Sequence, residues 1–162
     1  SRRVNRKNEG KDKIIIIMNK KLFCYPILII GLIMILGIRW LLVDEPWMLD
    51  EEANIERLEM TFDELFEAEI NNTLPGYLRQ IYRFFGLWVA IIGLLITSFS
   101  TPNLDHTSCL RFRLLLCIGI MILVGAILAY SLIPSSPFIY LIWTMVPLYL
   151  ISLYGHILSK SK

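Results

Sequence analysis

The chain has 162 residues, of which 56% are hydrophobic and 19% charged, with a formal net charge of +2. Soluble domains run about 45–50% apolar and about 25% charged, and most of the charge here is confined to residues 1–21 and 44–83. What remains is four long apolar stretches, which excludes a soluble enzyme, a nucleic-acid-binding module and a disordered tail.

Residues 1–21 form a basic segment carrying Arg2, Arg3, Arg6, Lys7, Lys11, Lys13, Lys20 and Lys21. The chain opens with Ser, and Met18-Asn19-Lys20-Lys21 resembles a bacterial-type start placed just before a first span. Residues 1–17 therefore read as an upstream extension. The apolar run that follows is too long for a cleaved signal peptide, and Arg39-Trp40 follows it without a small-residue cleavage pattern.

A spanning helix needs roughly 20 mostly apolar residues, because about 30 Å of hydrocarbon is crossed at 1.5 Å per residue. Four segments qualify, at about 22–43, 78–99, 110–132 and 138–158. The second reaches full length only with Arg79 and Arg83 at the interface, their heads extended towards water. The sequence thus predicts an all-α membrane protein: a single domain over 22–158 with four transmembrane helices in an antiparallel bundle, and a basic tail at 159–162.

Orientation follows from Lys and Arg in the short flanks. The eight basic residues of the N-terminal segment, Arg111 and Arg113 between spans two and three, and Lys160 and Lys162 in the tail make twelve on one side. Arg39, Arg57, Arg79 and Arg83 make four on the other. Without residues 1–17 the count is six against four, in the same sense. Both termini are expected in the cytoplasm, in a multi-pass protein of the inner cell membrane. Eleven of the fourteen acids then fall outside, in residues 44–69.

That outer segment, 44–74, is amphipathic. Ile55, Leu58, Phe62, Leu65 and Phe66 recur at helical spacing, opposite an acidic stripe of Glu52, Glu56, Glu59 and Asp63. Thr61-Phe62-Asp63-Glu64 matches a capping box, which predicts a helix starting at Phe62. Asp50 is placed to cap an earlier one over 51–58. Asn71-Asn72-Thr73-Leu74-Pro75-Gly76 is the stop, with Pro75 suited to the first turn of span two. One or two short amphipathic helices are expected, as a cover for the bundle end or as a lid over a substrate entrance.

Several chemistries lack residues. Cys24, Cys109 and Cys117 include no C-x-x-C pair and lie on the cytoplasmic side, which argues against disulfides and against four-helix thiol–quinone oxidoreductases. His106 and His156 have no metal- or haem-ligand spacing around them, and His156 beside Tyr154 reads as an interface residue. No calcium loop, G-x-S-x-G, Walker or dinucleotide motif is present, so no cofactor is implied. No span carries a carboxylate or Lys at its centre, which points away from a pump or exchanger. Pro147 and Thr144 offer only a small polar spot.

Packing signals are stronger. Gly86, Ala90, Gly93 and Thr97 form a small-residue stripe on span two, and Gly125 and Ala129 sit four apart on span three. Such stripes let helix backbones approach in lipid, either within the bundle or in a homodimer or partner-subunit seam through Gly86, Ala90 and Gly93. Trp40, Trp47, Trp88, Tyr140, Trp143 and Tyr154 read as interfacial anchors against membrane lipids.

The sharpest candidate site is an arginine group. Arg79 and Arg83 share one helix face beside Tyr82, and Arg39 closes span one at a similar depth. Two alternatives stand: an ion-pair scaffold, with Glu67 or Glu69 folded back by the Pro75-Gly76 turn, or a recessed anion site using guanidinium forks.

Leu78-Arg79-Gln80-Ile81-Tyr82-Arg83-Phe84-Phe85-Gly86-Leu87-Trp88, then Gly93, with Pro46 ending span one, carry a resemblance across residues 22–158 to small bacterial four-helix membrane proteins, DoxX-like in the broad sense. The resemblance implies a compact four-helix membrane bundle and transfers no catalytic residues. The acidic outer segment departs from that pattern. The expected function is a non-enzymatic accessory or binding bundle. The alternative is a membrane enzyme or small carrier for a lipid-soluble or anionic small molecule at the outer interface.

Overall fold

The computed structural model describes residues 2–104 and 107–160, with side chains from Gly10 onward; His106 lies outside the described residues. Among the described residues there are helices and no strands. Seven α-helices follow in order: α1 Arg2–Ile35, α2 Ile38–Leu42, α3 Glu51–Leu58, α4 Phe62–Glu67, α5 Leu74–Phe99, α6 Ser108–Leu132 and α7 Phe138–Lys160. Four helical stretches are long and apolar enough to cross a membrane: Gly10–Leu42, Glu69–Phe99, Ser108–Leu132 and Phe138–Lys160.

The first stretch departs from an uninterrupted helix over 22–43. α1 begins at Arg2 and ends at Ile35, and a turn at Leu36–Gly37 separates it from α2. The turn is tightened by three-residue hydrogen bonds, Leu36 N to Ile33 O at 3.2 Å and Gly37 N to Met34 O at 2.9 Å. Gly37 is needed there for packing, since a Cβ would lie 2.7 Å from Val89 Cγ1 on α5, and glycine weakens a helix it interrupts. Pro26 and Pro147 do not end their helices. Pro26 removes the donor that the Leu22 carbonyl would normally accept from. At the neighbouring carbonyl, Phe23 O, the Ser152 hydroxyl of α7 donates at 2.9 Å.

α1 is the hub: it packs most extensively against α7 and α5, while α6 packs chiefly on α7. Phe23, Cys24, Ile27 and Ile30 of α1 form a buried core with Ile96 of α5, Leu115 and Ile118 of α6 and Met145 of α7. The small stripe of α5 faces α1 of the same chain. A Cβ on Gly93 would lie 2.7 Å from Gly31 O and 2.8 Å from Ile35 N, and one on Gly86 would lie 2.8 Å from Gly37 O. Gly31 in turn is closed in by Thr97 Oγ1. On the other side of α1, a Cβ on Gly155 of α7 would lie 2.8 Å from Phe23 N. Gly125 of α6 has nothing within 4 Å of its Cβ position, while Ala129, one turn further on, is buried.

The segment between α2 and α5 forms a cap at one end of the bundle. Thr61 and Glu64 complete the capping box: Thr61 N donates to Glu64 Oε2 at 2.8 Å, and Glu64 N donates to Thr61 Oγ1 at 3.3 Å. These bonds to Thr61 hold the Glu64 carboxyl below its ordinary value. α3 ends on Glu59 in the left-handed region, φ 57°, and a 3-10 helix at Pro46–Asp50 leads into it. Pro75 occupies the first turn of α5. Trp40 and Trp47, read as interfacial anchors, are buried instead. Trp40 stacks on Phe138 at 4.5 Å between centroids and meets Phe85 edge-on at 5.3 Å. Trp47 packs on Phe62 and Phe66. Trp88, Tyr140, Trp143 and Tyr154 are exposed.

Gly93→Leu should lower thermal stability in detergent by about 1–3 kcal/mol through overpacking, because the atoms it would meet are backbone. Leu94→Ala, at an exposed neighbour, should cost clearly less. Matching losses measured by thermal melting would remove the close-approach argument.

Candidate functional site

The candidate residues lie at the cap end, where α5 passes the turn that follows α2. Arg79 and Arg83 sit one turn apart and both reach Asp44. Arg79 Nε donates to the Asp44 carbonyl at 2.7 Å, and Arg83 Nη2 lies 3.7 Å from Asp44 Oδ1. The expected partners, Glu67 and Glu69, are exposed and pair with neither arginine. The correction has a simple physical source: α2 packs along α5, so the residues just after α2 are carried alongside Arg79 and Arg83. Asp44 is 90% exposed and Arg83 42%, so the ion pair itself contributes about 0–1 kcal/mol. Arg39 is exposed, and its guanidinium shares no hydrogen bond or ion pair with the other two. The structure joins two of the three arginines, on a backbone carbonyl and an acid that were not singled out.

Tyr82, between them in sequence, belongs to a different constellation. Asn54 of α3 donates through Nδ2 to Tyr82 OH at 3.2 Å and to Trp47 O at 3.1 Å, tying α3 to α5. Next to it is Asp50, only 7% exposed. Asp50 stands at the N-cap position of α3, but its side chain makes no capping bond, and its Oδ1 is buried without a hydrogen-bond partner. Burial pushes the Asp50 carboxyl above its ordinary value, an effect partly offset by the Ser136 hydroxyl. Ser136, itself buried, accepts from Phe138 N at 3.2 Å, and the adjacent Ser135 hydroxyl donates to Glu56. The short connection between α6 and α7 is thereby pinned to the cap.

The sequence singles out neither Asn54 nor Ser135 and Ser136, and it marks Asp50 only as a helix cap. Asp50 carries a strong local capping signal, and its buried contacts come from a segment more than eighty positions away, which no periodicity can report. Below the Asn54–Tyr82 bridge is a cleft of about 280 Å³ lined by Asn54, Arg57, Leu58, Phe62, Leu65, Leu74, Leu78 and Tyr82. None of Arg39, Arg79 and Arg83 lines it. The site offers apolar walls, a phenol and an amide, with a buried carboxyl behind them.

At the opposite end, Lys160 Nζ lies 5.8 Å from the Phe112 ring centroid. His156 is 3% exposed, with its ring 6.4 Å from that of Phe23; it is a packed residue and not an interfacial one. Thr144 donates its hydroxyl to Tyr140 O at 2.9 Å within its own helix. Cys24, Cys109 and Cys117 are free thiols. Among the described residues no group of three or more His, Cys, Asp or Glu is arranged to hold a metal ion. No family model, curated protein or solved structure matches the chain.

Two measurements probe this end. Arg83→Gln and Asp44→Asn should each lower the melting temperature slightly, and the double variant should lose less than the sum, with a coupling of about 1 kcal/mol or less. Strict additivity would remove the clamp. Asp50→Asn should stabilise the fold near neutral pH by on the order of 1 kcal/mol. A carboxyl whose folded pKa is raised contributes its full stability below the unfolded value, about 3.9, and loses it as pH rises through the folded value. The advantage of the Asn variant should therefore shrink towards pH 4, and a pH-independent difference in melting temperature would contradict the assignment.

Proposed function

We propose that the chain is an integral membrane protein of four spans in an antiparallel bundle, with both termini cytoplasmic, acting as a non-enzymatic accessory or binding bundle of the inner cell membrane. The observation that carries this reading is the outward surface of α5, α6 and α7. Phe84, Trp88, Leu94, Leu123, Ile127, Trp143 and Leu150 are all exposed there. An apolar surface running the length of three helices is far larger than the patches soluble monomers tolerate, and lipid tails are its natural solvent. Charge supports the orientation. The acidic cap gathers with Arg79, Arg83 and the Ser135–Ser136 connection at one end, while Arg111 opens α6 and Lys160 closes α7 at the other. The DoxX-like resemblance adds a matching layout and no chemistry.

The arginines favour a scaffold over an anion site. Arg79 and Arg83 are engaged with the Asp44 turn, and Arg39 stands apart from them. The seam is filled within the chain, by α1 at Gly93 and by the following turn and α2 at Gly86, so a homodimer through it would have to displace them; a partner subunit fits better against the exposed faces. A second reading, a carrier or enzyme for a lipid-soluble molecule at the outer interface, is favoured by one observation: the apolar cleft beneath α3 and α4.

Glu56→Cys and Lys162→Cys, each made in a chain whose three natural cysteines are replaced by Ser, test the orientation. In intact cells an impermeant thiol reagent should label position 56 and spare position 162. The reverse pattern would invert the topology.

A further inference from the structure

The cleft beneath the cap has two polar groups with unspent bonding capacity. Its walls are Leu58 of α3, Phe62 and Leu65 of α4, and Leu74 and Leu78 of α5. The Tyr82 hydroxyl accepts from Asn54 Nδ2, while its own hydrogen goes to no described acceptor. Arg57 shares no ion pair with a described residue, although Glu51, Glu52 and Glu56 lie on the same short helix. A guanidinium left without an anion at an apolar cleft is suited to a phosphate or carboxylate arriving with a ligand. At about 280 Å³ the space is at the lower limit of small-molecule sites, about 300–1,000 Å³, which suits a single hydrocarbon chain better than a fused ring system.

We propose that the cleft holds one acyl chain of a membrane phospholipid, with the ester carbonyl accepting from the Tyr82 hydroxyl and the phosphate meeting Arg57. A free fatty acid fits less well. Its single carboxylate can meet the phenol or the guanidinium, whereas a phospholipid carries an ester carbonyl for Tyr82 and a phosphate, a glycerol unit further out, for Arg57. The exposed side chains of Leu58, Met60 and Ile70 on the cap give the lipid an apolar approach. The assignment rests on the membrane reading above and names the ligand class of a binding bundle.

The test is native mass spectrometry of the full chain in mild detergent, followed by titration with palmitoyl-oleoyl phosphatidylglycerol and, separately, with palmitate. The wild-type chain should keep one phospholipid through detergent exchange that strips loosely held lipid, and should bind the added phospholipid more tightly than palmitate. Leu65→Trp, which fills the cleft, should abolish retention while melting near the wild-type temperature. Tyr82→Phe and Arg57→Gln, milder changes that stand alone if the Trp variant misfolds, should each weaken binding about two- to tenfold, the worth of one hydrogen bond or exposed ion pair. Unchanged retention in a folded Leu65→Trp, unchanged affinity in both milder variants, tighter binding of palmitate, or no lipid at all would each overturn the assignment. Recovery of the chain from cells without detergent would instead defeat the membrane reading. A chain that needs detergent yet keeps no lipid defeats the cleft assignment alone.

Discussion

The contact on which the rest of the molecule depends is the approach of α1 to its two neighbours at backbone distance. Gly31 on α1, Gly37 in the turn after it, and Gly86 and Gly93 on α5 remove the side chains that would hold α5 away from α1 and α2, and Gly155 does the same between α7 and α1. In lipid, hydrophobicity cannot drive helices together, so dispersion between closely fitted backbones has to. With α1 held on both flanks, Phe23, Cys24, Ile27 and Ile30 are enclosed, and α6 completes the core through Leu115 and Ile118. The same approach requires Gly37, and with it the break that turns one apolar run into α1 and α2.

That break has consequences at the cap. α2 lies along α5 and delivers Asp44 to Arg79 and Arg83. The carbonyl of Asp44 is as important as its carboxylate, because the shorter contact, at 2.7 Å, is to the backbone. Beyond it, Trp47 anchors the cap on Phe62 and Phe66, and Asn54 ties it to Tyr82. The buried Asp50 costs stability, since its Oδ1 lacks a partner, and Arg83 Nε and Trp40 Nε1 are likewise buried without one. The carboxyl lies near a phenol, an amide and an apolar cleft at the cap end.

The two ends of the bundle are chemically unlike. Acids crowd the cap, while the opposite end carries Arg111 in the first turn of α6 and His156 and Lys160 in the last turns of α7, with Lys160 Nζ 5.8 Å from the Phe112 ring centroid. Between them, the outer faces of α5, α6 and α7 carry large apolar side chains. The cap is the part of the chain that departs from a plain bundle.

Much was legible from the sequence alone because it depends on local pattern. The four apolar stretches, the helices at Glu51–Leu58 and Phe62–Glu67, the Thr61–Glu64 capping box and Pro75 in the first turn of α5 all rest on spacing within a few residues. The small stripe of α5 was legible as a close-approach surface, but its partner was not: Gly31 and Gly37 meet it only after two helices have packed. The break at Leu36–Gly37, the choice of Asp44 over Glu67 and Glu69, the burial of Trp40 and Trp47, and the enclosure of Asp50 with Ser136 were decided by tertiary structure. Each joins segments far apart in the chain, and their energies depend on distances that no one-dimensional pattern encodes. Sequence determines which helices form and which faces are small, apolar or charged; packing decides which of those faces meet.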